Sequence, residues 1–184
     1  MTRQTHIMID LETTSTQSNA GILSLGAVVF YPDTTISSHF YERASLRSSE
    51  QAGLHVSKET MLWWDKPENA IARVEAFSGT KDLWSLLSSF QDWVTQFPGD
   101  IYLWSNGADF DLPILCNAYE EIHGLYPFDF RNHRCYRTLK SLIHPQFYSY
   151  ITNNSKHNAI SDALYQAKVA TQCFKHLGYP NGDT

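Results

Sequence analysis

The segment IMIDLETTS, Ile7 to Ser15, leads out of an apolar stretch into two carboxylates spaced two positions apart and then into three hydroxyl side chains. In an extended strand successive side chains alternate faces. Ile7, Ile9 and Leu11 therefore share one side while Asp10 and Glu12 share the other, about 6 to 7 Å apart. At an effective dielectric near 20, two like charges at that separation repel by roughly 2 to 3 kcal/mol. Water relieves such repulsion on an open face of a half-buried strand; a cleft does not, and there a bound divalent cation reverses the sign. The segment thus reads either as an ordinary half-buried strand with its carboxylates on an open face or as a strand that carries a cation site.

The rest of the chain supplies elements for one mixed sheet covered by helices. His6 to Asp10 and the more apolar Ile22 to Tyr31 read as strands, and Ser37 to Ala44 as a third after the Pro32-Asp33 turn, so the first quarter forms an antiparallel meander. Ser57, with Glu59 and Thr60, opens a helix through Trp64; Pro67 starts another, which Ser78-Gly79 stops. Leu83, Leu86, Leu87, Phe90, Val94 and Phe97 recur at helical spacing, and Pro98-Gly99 ends that run. Ile101 to Trp104 is a short strand, followed by a helix with Leu112, Leu115, Tyr119 and Ile122 on one stripe and Gly124 at its end. Phe128 to Tyr136 reads as a strand, Thr138 to Ile143 as a short helix and Asn153-Asn154 as a loop. Leu164, Ala167, Thr171 and Phe174 mark a final amphipathic helix ended by Gly178 and Pro180. With no internal repeat and no dividing linker, residues 1–184 are expected to form one α/β domain.

The composition is that of an ordered soluble chain, 42% hydrophobic and 14% aromatic, which excludes a disordered or fibrous class. Cys116, Cys135 and Cys173 are odd in number and far apart, which argues against a disulfide framework or a zinc ribbon and suits a reducing cytoplasm. No signal-peptide pattern and no run of about 18 apolar residues is present, so a cytoplasmic location without membrane insertion is expected. The net charge of −5 opposes general attraction to nucleic acid. Its distribution reverses locally: from Phe130 to Ser161 there is no Asp or Glu, but there are Arg131, Arg134, Arg137, Lys140 and Lys156, interleaved with Tyr136, Phe147, Tyr148 and Tyr150. Cations alternating with aromatics suit either a single-strand binding surface or a solvated face over a core edge.

Three further positions bear on the paired carboxylates. Asp111 precedes Leu112-Pro113 at a helix start, where a helix cap is the local alternative. Asp162 lies in the first turns of the last helix, where the helix dipole favours a carboxylate. His157 stands five residues earlier, about 140° around a helix, so the two share a site only if His157 belongs to the loop NNSKHN.

Together DLET, FDLPIL and HNAISD resemble the three ordered motifs of the DEDD exonucleases, the DnaQ-like superfamily that includes proofreading exonucleases, RNase T and oligoribonuclease. His157, with Asn158 rather than Tyr next to it, resembles the histidine variant, DEDDh. SLGAVVF and MLWW are similar to a small branch that includes a mycobacterial exoribonuclease and the phage exodeoxyribonuclease DexA, although Trp63 and Trp64 read equally as core aromatics. The resemblance implies a ribonuclease H-like mixed five-stranded sheet flanked by helices, and 3′-to-5′ exonuclease activity on single-stranded RNA or short oligonucleotides, or on DNA. A non-catalytic nucleic-acid-binding or polymerase-accessory module and a purely structural role are the further alternatives, and the intact set of five residues argues against both.

The resemblance further implies two divalent cations, Mg²⁺ or Mn²⁺, held by Asp10, Glu12, Asp111 and Asp162, since oxygen-only ligands suit hard cations. Asp10 would bridge both ions and His157 would be the general base. Leu11, Thr13 and Thr14 would meet the terminal sugar, while Arg134, Arg137 and Lys156 would guide the strand. A homodimer is implied by analogy with RNase T and oligoribonuclease.

Overall fold

A computed structural model describes residues 4–179. Its five-stranded sheet has the order β3-β2-β1-β4-β5, formed by β1 (Gln4–Thr13), β2 (Ile22–Phe30), β3 (Ile36–Arg43), β4 (Asp100–Ser105) and β5 (His133–Cys135). The first three strands pair antiparallel, as the meander predicts, whereas β4 joins β1 parallel and β5 joins β4 parallel. This is the mixed ribonuclease H-like sheet that the sequence resemblance implies.

Seven α-helices are described: α1 (Leu46–Gln51), α2 (Lys58–Trp64), α3 (Ala70–Ala76), α4 (Leu83–Val94), α5 (Asp111–His123), α6 (Tyr136–Ser141) and α7 (Ala159–Leu177). Strand β1 is buried on both faces. Ile7, Ile9 and Leu11 join the core built with Leu83, Leu86, Leu87 and Phe90 of α4 and Leu112, Leu115 and Tyr119 of α5. Met8, on the opposite parity, joins Val28, Phe30 and the α7 residues Ala163, Ala167, Ala170 and Phe174. Full burial of a Leu or Phe side chain contributes about 1.5 to 3 kcal/mol, so two such cores hold the layers far more firmly than any single polar contact. Asp10 and Glu12 share the parity of Met8 and therefore face the α7 side.

The alanines of α7 let that helix approach the sheet closely, and Gly26 of β2 completes the approach. A Cβ at Gly26 would lie 2.3 Å from the backbone carbon of Ala159 and from the backbone nitrogen of Ile160. Gly26 is also the register partner of Asp10. The first turn of α7, which carries Asp162, is thereby pressed against the strand pair that carries Asp10.

Several elements differ from the sequence expectation. The strand expected over Phe128 to Tyr136 shrinks to His133–Cys135, because the Asp129 side chain accepts a hydrogen bond from the Arg131 N–H at 2.9 Å and caps a 3-10 turn over Phe130–Asn132. Helix α6 starts two residues earlier than the expected Thr138, with the Cys135 thiol sulfur accepting from the Thr138 N–H at 3.4 Å. Strand β1 runs on past the expected end at Asp10 to Thr13, so Glu12 lies within it as well as Asp10. The short helix α1, capped by Ser45, has no apolar periodicity to announce it. The Pro67 segment is a 3-10 turn that leads into α3. Gly178 ends α7 in the left-handed conformation, φ 63°, while Pro180 lies outside the described residues.

Replacing Gly26 by Ala is expected to displace the start of α7. Overpacking of this kind costs about 1 to 3 kcal/mol, which lowers the melting temperature by roughly 2 to 4 °C per kcal/mol in a domain of this size. Thermal unfolding followed by circular dichroism checks it, and an unchanged melting temperature with full nuclease activity would show that α7 tolerates the shift.

Candidate active site

The cleft opens where β1 and β4 end, at the carboxyl ends of the parallel pair, and has a volume of about 890 Å³. Strand β1 brings Asp10 and Glu12, α5 brings Asp111 in its first turn, and α7 brings Asp162 in its first turn. One oxygen each from Asp10, Glu12 and Asp162 lie within 4.8 Å of one another, close enough to share an ion. Asp111 stands apart from that trio at the cleft wall. It is not the N-cap of α5, a position Phe110 takes. Its Oδ1 accepts a hydrogen bond from the Leu11 N–H at 3.1 Å, which ties α5 to β1 across the site.

The electrostatics are those of concentrated negative charge. Burial, followed by repulsion from Asp111, Glu12 and Asp162, holds the Asp10 carboxyl well above the usual carboxylate range; a hydrogen bond from Gln166 partly opposes this. Glu12, only 7% exposed, is pushed up to about 8 by burial and then by Asp162 and Asp111. Asp111 is raised to about 7 by burial, against the Leu11 N–H and the nearby Arg137 guanidinium. Asp162 is also raised by burial, with backbone groups of His157 and Asn158 opposing. All four groups are therefore reluctant anions, and each offers only oxygen donors. Hard divalent cations fit such a donor set and relieve its repulsion at the same time.

Around the carboxylates, neutral amides orient individual oxygens. Gln166 Nε2 donates to Asp10 Oδ1 at 2.7 Å, and Asn153 Nδ2 donates to Asp162 Oδ1 at 2.6 Å. Gln166 lies four residues after Asp162, a helical spacing that the sequence displays but that acquires meaning only once Asp10 is opposite. His157 lines the cleft from the loop before α7, as its spacing from Asp162 requires. Its backbone is left-handed, φ 59°, a conformation that non-glycine residues adopt only where the surroundings impose it. The Trp63 ring meets the His157 ring edge to face, with centroids 4.9 Å apart.

Both tryptophans line the cleft; Trp64 is in addition a buried core residue whose indole N–H donates to the Thr13 carbonyl at 3.0 Å. Leu11, Thr13 and Arg137 also line the cleft, Arg137 with its guanidinium donating to the Asn106 carbonyl at 3.1 Å. Three expected substrate contacts are not brought to the lining. Thr14 is fully buried and its hydroxyl donates to the His55 carbonyl at 2.8 Å. Arg134 lies over the Tyr102 ring at 4.5 Å and donates to the carbonyls of Arg131 and His133. Lys156 is exposed on the loop outside the cleft lining. In each case a linear charge or hydroxyl pattern reports composition and not direction. Ser15, Gln17 and His55 extend the cleft instead, with His55 Nδ1 2.7 Å from Ser15 Oγ; no sequence spacing connects that pair.

Three acidic segments thus converge at the end of a mixed sheet, with a histidine on the approaching loop. A sequence model described as the 3'-5' exoribonuclease Rv2179c-like domain matches residues 5–174, and the chain belongs to that family. No curated protein matches. Among solved structures, the nuclease domain of 3'hExo, a DEDDh family member bound to rAMP, is 14% identical with a TM-score of 0.62, over 94% of this chain and 92% of that one. Escherichia coli Exonuclease I in complex with a dT13 oligonucleotide is 10% identical with a TM-score of 0.64, over 92% of this chain but only 40% of its own length. Cell-death related nuclease 4 is 14% identical with a TM-score of 0.57, over 95% of this chain and 64% of that one. At these identities the likeness is one of fold.

The raised carboxyl groups set a pH dependence of stability. Because Glu12 and Asp111 hold protons in the fold up to about 8 and about 7, against ordinary values of 4.5 and 3.8, the folded chain binds more protons than the unfolded one between about pH 4 and 8. Metal-free protein should therefore lose stability as pH rises through that window. Melting curves at pH 5 and pH 8.5 with EDTA should differ by several degrees, and Mn²⁺ should raise the melting temperature more at pH 8.5. A flat metal-free profile would contradict the charge assignment.

Proposed function

We propose that this chain is a two-metal-ion exoribonuclease that removes 5′-mononucleotides from the 3′ end of single-stranded RNA or short oligonucleotides. The observation that carries the reading is the shared focus of Asp10, Glu12 and Asp162, with Asp111 facing the same cleft from a different helix. When bound, a pair of Mg²⁺ or Mn²⁺ ions supplies an activated water and neutralises charge on the phosphate during in-line displacement. Asp10 would serve both ions, with Glu12 and Asp162 on the nucleophile side and Asp111 on the leaving-group side.

His157 takes the proton of the attacking water. A neutral imidazole ring nitrogen can accept a proton, which suits a general base, and the loop position places the ring in the cleft that holds the acidic cluster. The edge contact with Trp63 limits where that ring can swing. Thr13 and Leu11, which line the cleft beside the acidic cluster, would meet the terminal ribose, and Arg137 beside Asp111 suits a phosphate. A cleft of about 890 Å³ falls in the range of roughly 300 to 1,000 Å³ typical of small-ligand sites, room for a terminal nucleotide. The exoribonuclease family and the rAMP held by 3'hExo favour RNA, while the oligodeoxynucleotide in Exonuclease I keeps DNA as the second reading. A homodimer and a cytoplasmic location belong to the same proposal, as does the reading of the chain as one domain.

The test uses 5′-labelled single-stranded RNA and DNA of the same sequence with Mg²⁺, Mn²⁺ or EDTA. RNA should shorten stepwise from its 3′ end, faster than DNA, and remain intact in EDTA or with Asp10→Ala. Preferred DNA shortening would assign the second reading; activity surviving Asp10→Ala would end both. Replacing His157 by Ala should lower kcat by about 10² to 10⁴-fold with little change in KM, the usual contribution of a positioned general base.

A further inference from the structure

We infer that Gln166 is a positioning residue of the metal site, whose side-chain amide sets the plane of the Asp10 carboxylate so that its oxygens meet divalent cations in a fixed orientation. The inference rests on the reading of the acidic cleft as a metal centre.

Gln166 occupies α7 one turn beyond Asp162, lines the cleft and is 4% exposed. Its Nε2 donates to Asp10 Oδ1 at 2.7 Å, a bond that joins the last helix to the first strand. On the helix it follows Ala163 and precedes Ala167 and Ala170, small apolar residues packed on the sheet. If Gln166 only filled space there, a Leu or Met would do so without burying polar atoms. Instead its Oε1 is buried and has no hydrogen-bond partner among the described residues, an arrangement that native interiors avoid unless another requirement imposes it.

The choice of a neutral amide points to that requirement. A Lys or Arg in this place would pair with Asp10 permanently, occupying the position of a cation and neutralising the ligand. An amide orients one oxygen through a single N–H and leaves about three of the carboxylate's roughly four lone pairs free for ions. Asn153 treats Asp162 similarly but from a partly exposed loop. Gln166 sits on the buried face of α7, so its constraint on Asp10 is the firmer one. Partners of this kind commonly change metal affinity or activity by roughly 10- to 100-fold when removed.

The test measures Mn²⁺ binding to the metal-free protein by calorimetry without substrate, alongside metal-free melting and steady-state kinetics on a labelled oligonucleotide. Gln166→Met keeps the volume and loses the donor; Gln166→Ala continues the alanine face and cannot overpack. Both should weaken Mn²⁺ binding about 10- to 100-fold, lower kcat at limiting Mn²⁺, leave KM for the oligonucleotide within about twofold and recover kcat as Mn²⁺ is raised. Added to Asp10→Asn, Gln166→Met should change the residual Mn²⁺ affinity no further, since the two act through one contact. Wild-type Mn²⁺ affinity in either folded variant, or a lowered metal-free melting temperature as the sole effect, would overturn the inference and assign Gln166 to the fold. If Asp10→Asn bound Mn²⁺ as tightly as the wild type, the metal-centre reading itself would fail with it.

Discussion

Negative charge packed into one cleft is the constraint around which the structure is built. At about 5 Å and an effective dielectric near 20, each pair of carboxylates repels by roughly 3 kcal/mol. Asp10, Glu12 and Asp162 approach within that range, and Asp111 adds to their field. Nothing local to any of these residues brings them together. What opposes the repulsion is apolar burial in the two cores, one on each side of β1, which fix the positions of α5 and α7 regardless of the charges those helices carry. The cost shows at the site as carboxyl groups that hold on to their protons, and a cation favours their ionised form.

Topology explains why the charges meet at this place. Strand β1 is central and covered on both faces, so one parity feeds the α4–α5 core and the other faces α7. The second parity carries Asp10 and Glu12. Helix α7 can reach them because Gly26, opposite Asp10, has no side chain to hold the helix away. Asp111 arrives from the other layer through the parallel β4, whose connection to α5 ends at the same edge of the sheet, the end of parallel strands at which α/β proteins commonly bind ligands. Backbone and amide donors then act on what packing has assembled: Leu11 N–H on Asp111, Gln166 on Asp10, Asn153 on Asp162. Neutral donors orient the carboxylates without discharging them, which preserves their demand for metal.

Much of this was legible in the chain. The alternation of Ile7, Ile9 and Leu11 against Asp10 and Glu12 is a matter of strand geometry, and the stripes of α4, α5 and α7 follow from helical period. The offset of His157 from Asp162 required a loop followed by a helix, which is what forms. Less was legible where direction matters more than residue type. Thr14 turned inward to a backbone carbonyl, Arg134 turned onto Tyr102, and of Trp63 and Trp64, adjacent in the chain and both lining the cleft, only Trp64 is buried in the core. The strand expected at Phe128 to Tyr136 lost most of its length to the Asp129 cap, a competition between side-chain and ladder hydrogen bonds that apolar patterning does not report.

By itself the sequence determined the periodicities, the residue types able to bind a hard cation and the order in which the acidic motifs occur, because these depend only on covalent order and on each residue's chemistry. The tertiary structure alone decided which oxygens converge, which amide meets which carboxylate and which cations face the cleft. Those outcomes depend on through-space distances between segments as much as 156 residues apart, from Gln166 to Asp10, and only the packing of helices on both faces of the sheet sets such distances.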